Sequence, residues 1–126
     1  MRALYDHTGE VRIWLRDDEK WLLDLQGNAI AIVQDGNIYD LSGYHIAWWR
    51  AGRVQDHHGN VVFVARDFQH RQMPSPPWHL QPLQPIEKIM LQRPTLGLRP
   101  IEFQPSGRWV DPQALLDDLR LAKRAA

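Results

Sequence analysis

The chain has 126 residues, with 15 Lys plus Arg against 15 Asp plus Glu for a formal net charge of zero, and no cysteine. That length buries roughly 65 to 70% of the unfolded surface, enough for one core. The charge balance gives no long-range field toward nucleic acid or an anionic membrane, and the lack of Cys excludes disulfides, thiolate metal sites and thiol nucleophiles.

No apolar run approaches the ~20 residues that span a bilayer, and Met1 to Asp6 form no signal-like stretch, so a cytoplasmic location is expected. The motif Asp-x-x-Gly then recurs four times, at Asp6 to Gly9, Asp24 to Gly27, Asp40 to Gly43 and Asp56 to Gly59, with spacings of 18, 16 and 16 residues. Two positions before each Asp stands an aliphatic residue: Leu4, Leu22, Ile38 or Val54. Asp suits the first position of a tight turn, because its side chain accepts from a backbone N–H two residues on. Gly three residues later supplies the positive φ of a turn followed by a bulge. Each unit therefore predicts a β-hairpin, and Gln34-Asp35-Gly36-Asn37 and Arg50-Ala51-Gly52-Arg53 predict return turns between units.

Counted from each turn glycine, the second, fourth and sixth positions read Val11, Ile13, Leu15; Ala29, Ala31, Val33; His45, Ala47, Trp49; and Val61, Phe63, Ala65. This face is apolar except at His45. The third and fifth positions are also largely apolar, so the alternation of a half-solvated sheet is missing and both faces must be covered. Ala29, Ala31 and Ala47 suit repeats that close around an axis, and they suit ordinary tight sheet packing equally.

All nine prolines lie between Pro74 and Pro112. Proline at that density prevents helix and central strand, and an extended arm with polyproline character is expected over 71–110. Its large apolar groups, among them Trp78, Leu80, Leu83, Ile86, Ile89, Met90, Leu91, Leu96, Leu98, Ile101, Phe103 and Trp109, predict burial against the hairpin domain of residues 1–70 rather than disorder. Residues 111–126 read as a helix: Asp111 as N-cap, Pro112 at the first helical position, a stripe of Leu115, Leu116 and Leu119, and Lys123 and Arg124 at the C-terminal end.

The repeated hairpins, and above all Gly43-Tyr44-His45-Ile46-Ala47-Trp48-Trp49 followed by Gly52 and Asp56-x-x-Gly59, resemble the four-fold beta-flower domain family of small bacterial proteins. Ala47 stands where relatives are expected to carry glycine, which narrows the space there. The resemblance covers nearly the whole chain. It implies a mainly β fold of four hairpins about a pseudo-four-fold axis, and no particular activity.

His45 is the one ionisable group in its register. A partly buried imidazole beside Trp48 or Trp49 is suited to binding an anionic or aromatic ligand, or to general-base work. The plainer reading is a core histidine satisfied by a backbone carbonyl. Trp48 falls on the opposite pleat face from His45, so the two meet only if the strand twists or bulges. Asp56-His57-His58, with His7 at the matching turn, offers metal-ligating types, yet adjacent turn side chains seldom converge and exposed turn residues are the expectation. The four aspartates read as turn caps and the tryptophans as core. Arg93-Pro94 and Arg99-Pro100 suit a polyproline ligand, against an arm that packs on its own sheet.

With no Gly-x-Ser-x-Gly, no phosphate-cradling loop and no paired carboxylates at catalytic spacing, an enzyme is the lesser expectation. The leading one is a non-catalytic binding or interaction module. An unknown small molecule or protein partner is held around the third and fourth hairpins by His45, Trp48, Trp49, Asp56 and His57, with no cofactor, no metal, no nucleic acid and no membrane. Two alternatives stand beside it: a structural protomer assembling through strand edges or the arm, and a small hydrolase-like enzyme in which Asp56 orients His45. Monomer and homo-oligomer are both open.

Overall fold

The computed structural model describes residues 1–68, 76–88, 94–98, 100 and 107–125. Its strands are β1 (Arg2–Tyr5), β2 (Val11–Leu15), β3 (Trp21–Leu23), β4 (Ala29–Gln34), β5 (Asn37–Asp40), β6 (His45–Arg50), β7 (Arg53–Asp56) and β8 (Val61–Val64), followed by the helix α1 (Gln113–Ala125). Neighbours pair antiparallel in chain order, and β1 closes on β8 through Tyr5 opposite Val64, giving a closed barrel of four hairpins.

The turn chemistry repeats at each hairpin. One Asp oxygen accepts from the amides two and four residues on: Asp6 from Thr8 and Glu10 at 2.9 and 3.1 Å, Asp24 from Gln26 and Asn28, Asp40 from Ser42 and Tyr44, Asp56 from His58 and Asn60. The turn glycine donates back to the Asp carbonyl, as Gly9 does to Asp6 at 3.0 Å. All four turn glycines have φ between 81 and 93°. At the return turns Asp35 and Gly36, and Ala51 and Gly52, have positive φ at both central positions, the mirror-image turn that matches strand twist.

The single apolar face expected from the second, fourth and sixth positions is corrected by a bulge in every hairpin. In the third, Ile38 faces Ala47 but Tyr39 faces His45, so Ile46 is the extra residue; the register shifts at the same place in the other three. One inserted residue moves what precedes it to the opposite face. Val11, Ala29 and Val61 therefore join one apolar cluster with Tyr5, Trp14, Trp21 and Tyr39, while Ile13, Ala31, Ala47 and Phe63 join the other.

Both clusters are covered. Leu116 and Leu119 of α1 enter the cluster of Leu4, Ile13, Leu22, Ile38 and Phe63. The helix starts where Asp111 accepts from the Gln113 amide at 2.8 Å. Trp78, Leu96 and Trp109 lie half-buried against the second cluster, with Trp78 edge-on to Tyr5 at 4.9 Å between centroids. Backbone bonds tie the same segments to the hairpin turns at nine-residue intervals: His79 N–H to the Gly9 carbonyl at 3.3 Å, Lys88 to Gly27 at 3.1 Å and Gly97 to Gly43 at 2.7 Å. After them Val61 and Val110 bond across a short parallel bridge at Trp109.

Not every apolar group of the arm is buried as its composition suggests. Leu80, Leu83, Ile86 and Leu98 are 88 to 97% exposed, in segments that dock through main-chain amides and carbonyls rather than through these side chains. Ile89, Met90, Leu91, Ile101 and Phe103, the Arg93 and Arg99 steps, and the side chains of Lys123 and Arg124 lie outside the described residues. Among those described, no helix is long and apolar enough to cross a membrane.

Candidate functional site

The bulge at Ile46 brings His45 to the face of Trp48. Their rings lie 4.8 Å apart between centroids, and Tyr39, opposite His45 in the register, meets it edge-on at 5.3 Å. His57, from the next hairpin's turn, lies nearly coplanar with His45, the ring centroids 5.1 Å apart and the planes 12° off parallel, and approaches Trp48 at 5.4 Å. His45, Trp48 and His57 are thus gathered from the expected set.

Asp56 and Trp49 are placed otherwise. One Asp56 oxygen caps its own turn. Trp49 packs partly buried against the other cluster, with the Arg2 guanidinium 5.5 Å from its ring. The His45 ring bonds to His57 at Nδ1, 2.9 Å, and to Asn37 at Nε2, 3.0 Å. His45 thus sits in a side-chain network in which Asn37 meets its Nε2.

Hydrogen-bond supply fixes the direction of this network. The Asn37 amide nitrogen donates to the carbonyls of Gln34 and Asp35 at 3.3 and 3.0 Å, which turns its oxygen toward His45. An amide oxygen only accepts, so His45 carries its proton on Nε2 and presents a lone pair at Nδ1. In the neutral pair His57 must then donate from Nε2, leaving His57 Nδ1 as an acceptor with no partner among the described residues. Burial pushes the His57 pKa below its ordinary value of 6.5; Asp56 pulls it up, and His58 lowers it further.

His57 lines a cavity of about 210 Å³ between the third and fourth hairpins and α1. Ile46, Val62, Val110 and Leu115 give it apolar walls, and Asp56, His58, Asp111 and Asp118 its polar ones. Cavities of about 330 and 400 Å³ lie beside the first two hairpins and at the β1–β8 seam, and neither is lined by an expected site residue. Among the described residues no group of three or more His, Cys, Asp or Glu side chains is placed to hold a metal ion.

Asn37 and Tyr39 escape a reading confined to the outgoing strands. Comparison of the units would have found Asn37, since three residues before each Asp stand Ala3, Trp21, Asn37 and Arg53. One hairpin earlier, the places of Asn37, His45 and His57 are taken by Trp21, Ala29 and Leu41, all buried in one apolar cluster. The polar trio is peculiar to the third repeat and its junction with the fourth.

A closed barrel of four hairpins, each turned by Asp-x-x-Gly and bulged at the same place, defines a four-fold hairpin-repeat protein with one polar junction. The 4-fold beta flower protein family profile matches residues 2–114, and the chain belongs to that family. No curated protein and no solved structure matches the chain.

Proposed function

We propose that the protein is a non-catalytic binding module whose ligand enters the cavity beside His57 and hydrogen-bonds to its Nδ1. What supports this reading is the chain of side-chain hydrogen bonds from Asn37 through His45 to His57, the last of which lines a cavity. Binding is favoured over catalysis because no hydroxyl, thiol or amine nucleophile stands among the described lining side chains. The test is a small-molecule screen read by the ¹⁵N imidazole resonances of His57, with His57→Leu alongside. Saturable shifts that vanish in a folded His57→Leu protein are expected. Hits that bind the variant equally well would remove the site.

A second reading, assembly through the arm, draws on the outward Leu80, Leu83, Ile86 and Leu98. Light scattering behind size exclusion separates the two: a monomer that does not change with concentration ends the assembly reading.

A further inference from the structure

Resting on that binding reading, we infer that the cavity beside His57 takes a small organic cation, an amine with a hydrocarbon body. The first support is the sign of what the cavity offers. The Asn37-anchored chain leaves His57 Nδ1 able to accept and not to donate. Asp56, Asp111 and Asp118 add carboxylates, and among the described residues no Lys or Arg lines the space. One oxygen of Asp56 is committed to its turn amides and one of Asp111 to the helix cap, while Asp118 hydrogen-bonds to nothing in the described structure. His58 brings an imidazole N–H to the same wall, but the three carboxylates outweigh it, so a ligand that carries donors and a positive charge is favoured over a neutral one.

The second support is shape. Ile46, Val62, Val110 and Leu115 leave an apolar wall opposite the carboxylates. A volume of about 210 Å³ holds roughly seven water-sized units at about 30 Å³ each. That suits a short alkyl or aryl group beneath the ammonium. The acidic groups also do not converge on one point as a metal demands. An extended cation, held by its hydrocarbon on one side and by spread charges on the other, fits both facts.

The experiment titrates the full chain at pH 7.5 with n-hexylammonium, n-hexanol and n-hexanoate, which share a body and differ in charge. His57 imidazole shifts and calorimetry are the readouts. Hexylammonium is expected to bind about tenfold tighter than hexanol, the effect of two or three partly exposed ion pairs, and hexanoate more weakly than either. Asp118→Asn, which breaks no internal bond, is expected to weaken hexylammonium about threefold and leave hexanol unchanged. Hexanol or hexanoate binding as tightly as hexylammonium, with His57 shifting, overturns the cationic ligand and keeps the binding site. Silence from all three probes overturns both. Zinc or calcium chloride alone reproducing the His57 shifts at micromolar concentration assigns a metal and overturns the organic cation.

Discussion

At His57 burial favours the neutral form: the loss of water around the ring disfavours a charge more than Asp56 supports one, and His58 disfavours it further. A base whose folded pKa lies below its unfolded value contributes stability that is complete above the unfolded value, here 6.5, and is lost as pH falls toward and through the folded value. The melting temperature of the wild type should therefore fall more steeply below pH 6.5 than that of His57→Leu, a change to the residue the second and third hairpins carry at this place. Parallel curves would show that the imidazole is not the linked group. Tyr5 gives a second test at this scale. It is 1% exposed and its hydroxyl has no hydrogen-bond partner among the described residues, so Tyr5→Phe should leave the melting temperature unchanged or raise it. A loss of about 1 kcal/mol or more in urea denaturation would mean the hydroxyl is bonded. His45 was legible as an anomaly because its counterparts are Val11, Ala29 and Val61. Its partner Asn37 was not, because the contact runs between adjacent strands and its register depends on a bulge that one strand's periodicity does not carry.

Among the elements, the hairpins were the legible part, since Asp-x-x-Gly encodes its turn within a few residues. The docking of the arm was not, because the three segments meeting Gly9, Gly27 and Gly43 are Pro77-Trp78-His79, Ile86-Glu87-Lys88 and Thr95-Leu96-Gly97, which share spacing and no residue type. Amides and carbonyls do the joining, and every residue has those. They also explain why glycine is doubly required at the turns: a Cβ on Gly27 would stand 2.0 Å from the Ile86 carbonyl oxygen, whereas one on Gly52 meets nothing nearer than 3.6 Å. Both have strongly positive φ, 89 and 80°. Gly52→Ala should cost about 1–2 kcal/mol for its backbone alone, and Gly27→Ala more, with the arm cut faster near Ile86 in limited proteolysis. Equal costs and equal cleavage would dissociate the arm from the turn.

Over the whole molecule, closure is weakest where β1 meets β8, joined by the one pair Tyr5–Val64, whereas β4 and β5 share four. Amides of β1 should accordingly exchange with deuterium sooner than those of β4 and β5, and equal protection would show that the seam opens only with the rest. The arm visits the hairpins in the order in which the chain made them. Its main-chain contacts span 70 residues at Gly9 to His79, then 61 and 54, and 47 at Val61 to Arg108. A hairpin closes within its own short segment, so the barrel can assemble from local events, while each arm contact must wait for a long loop to close onto a turn that already exists. The arm is in this sense a late reader of finished hairpins, and its side chains belong to the native state more than to the rate-limiting one. Trp78→Ala and Leu96→Ala should speed unfolding with little change in the refolding rate, and Ile38→Ala should slow refolding.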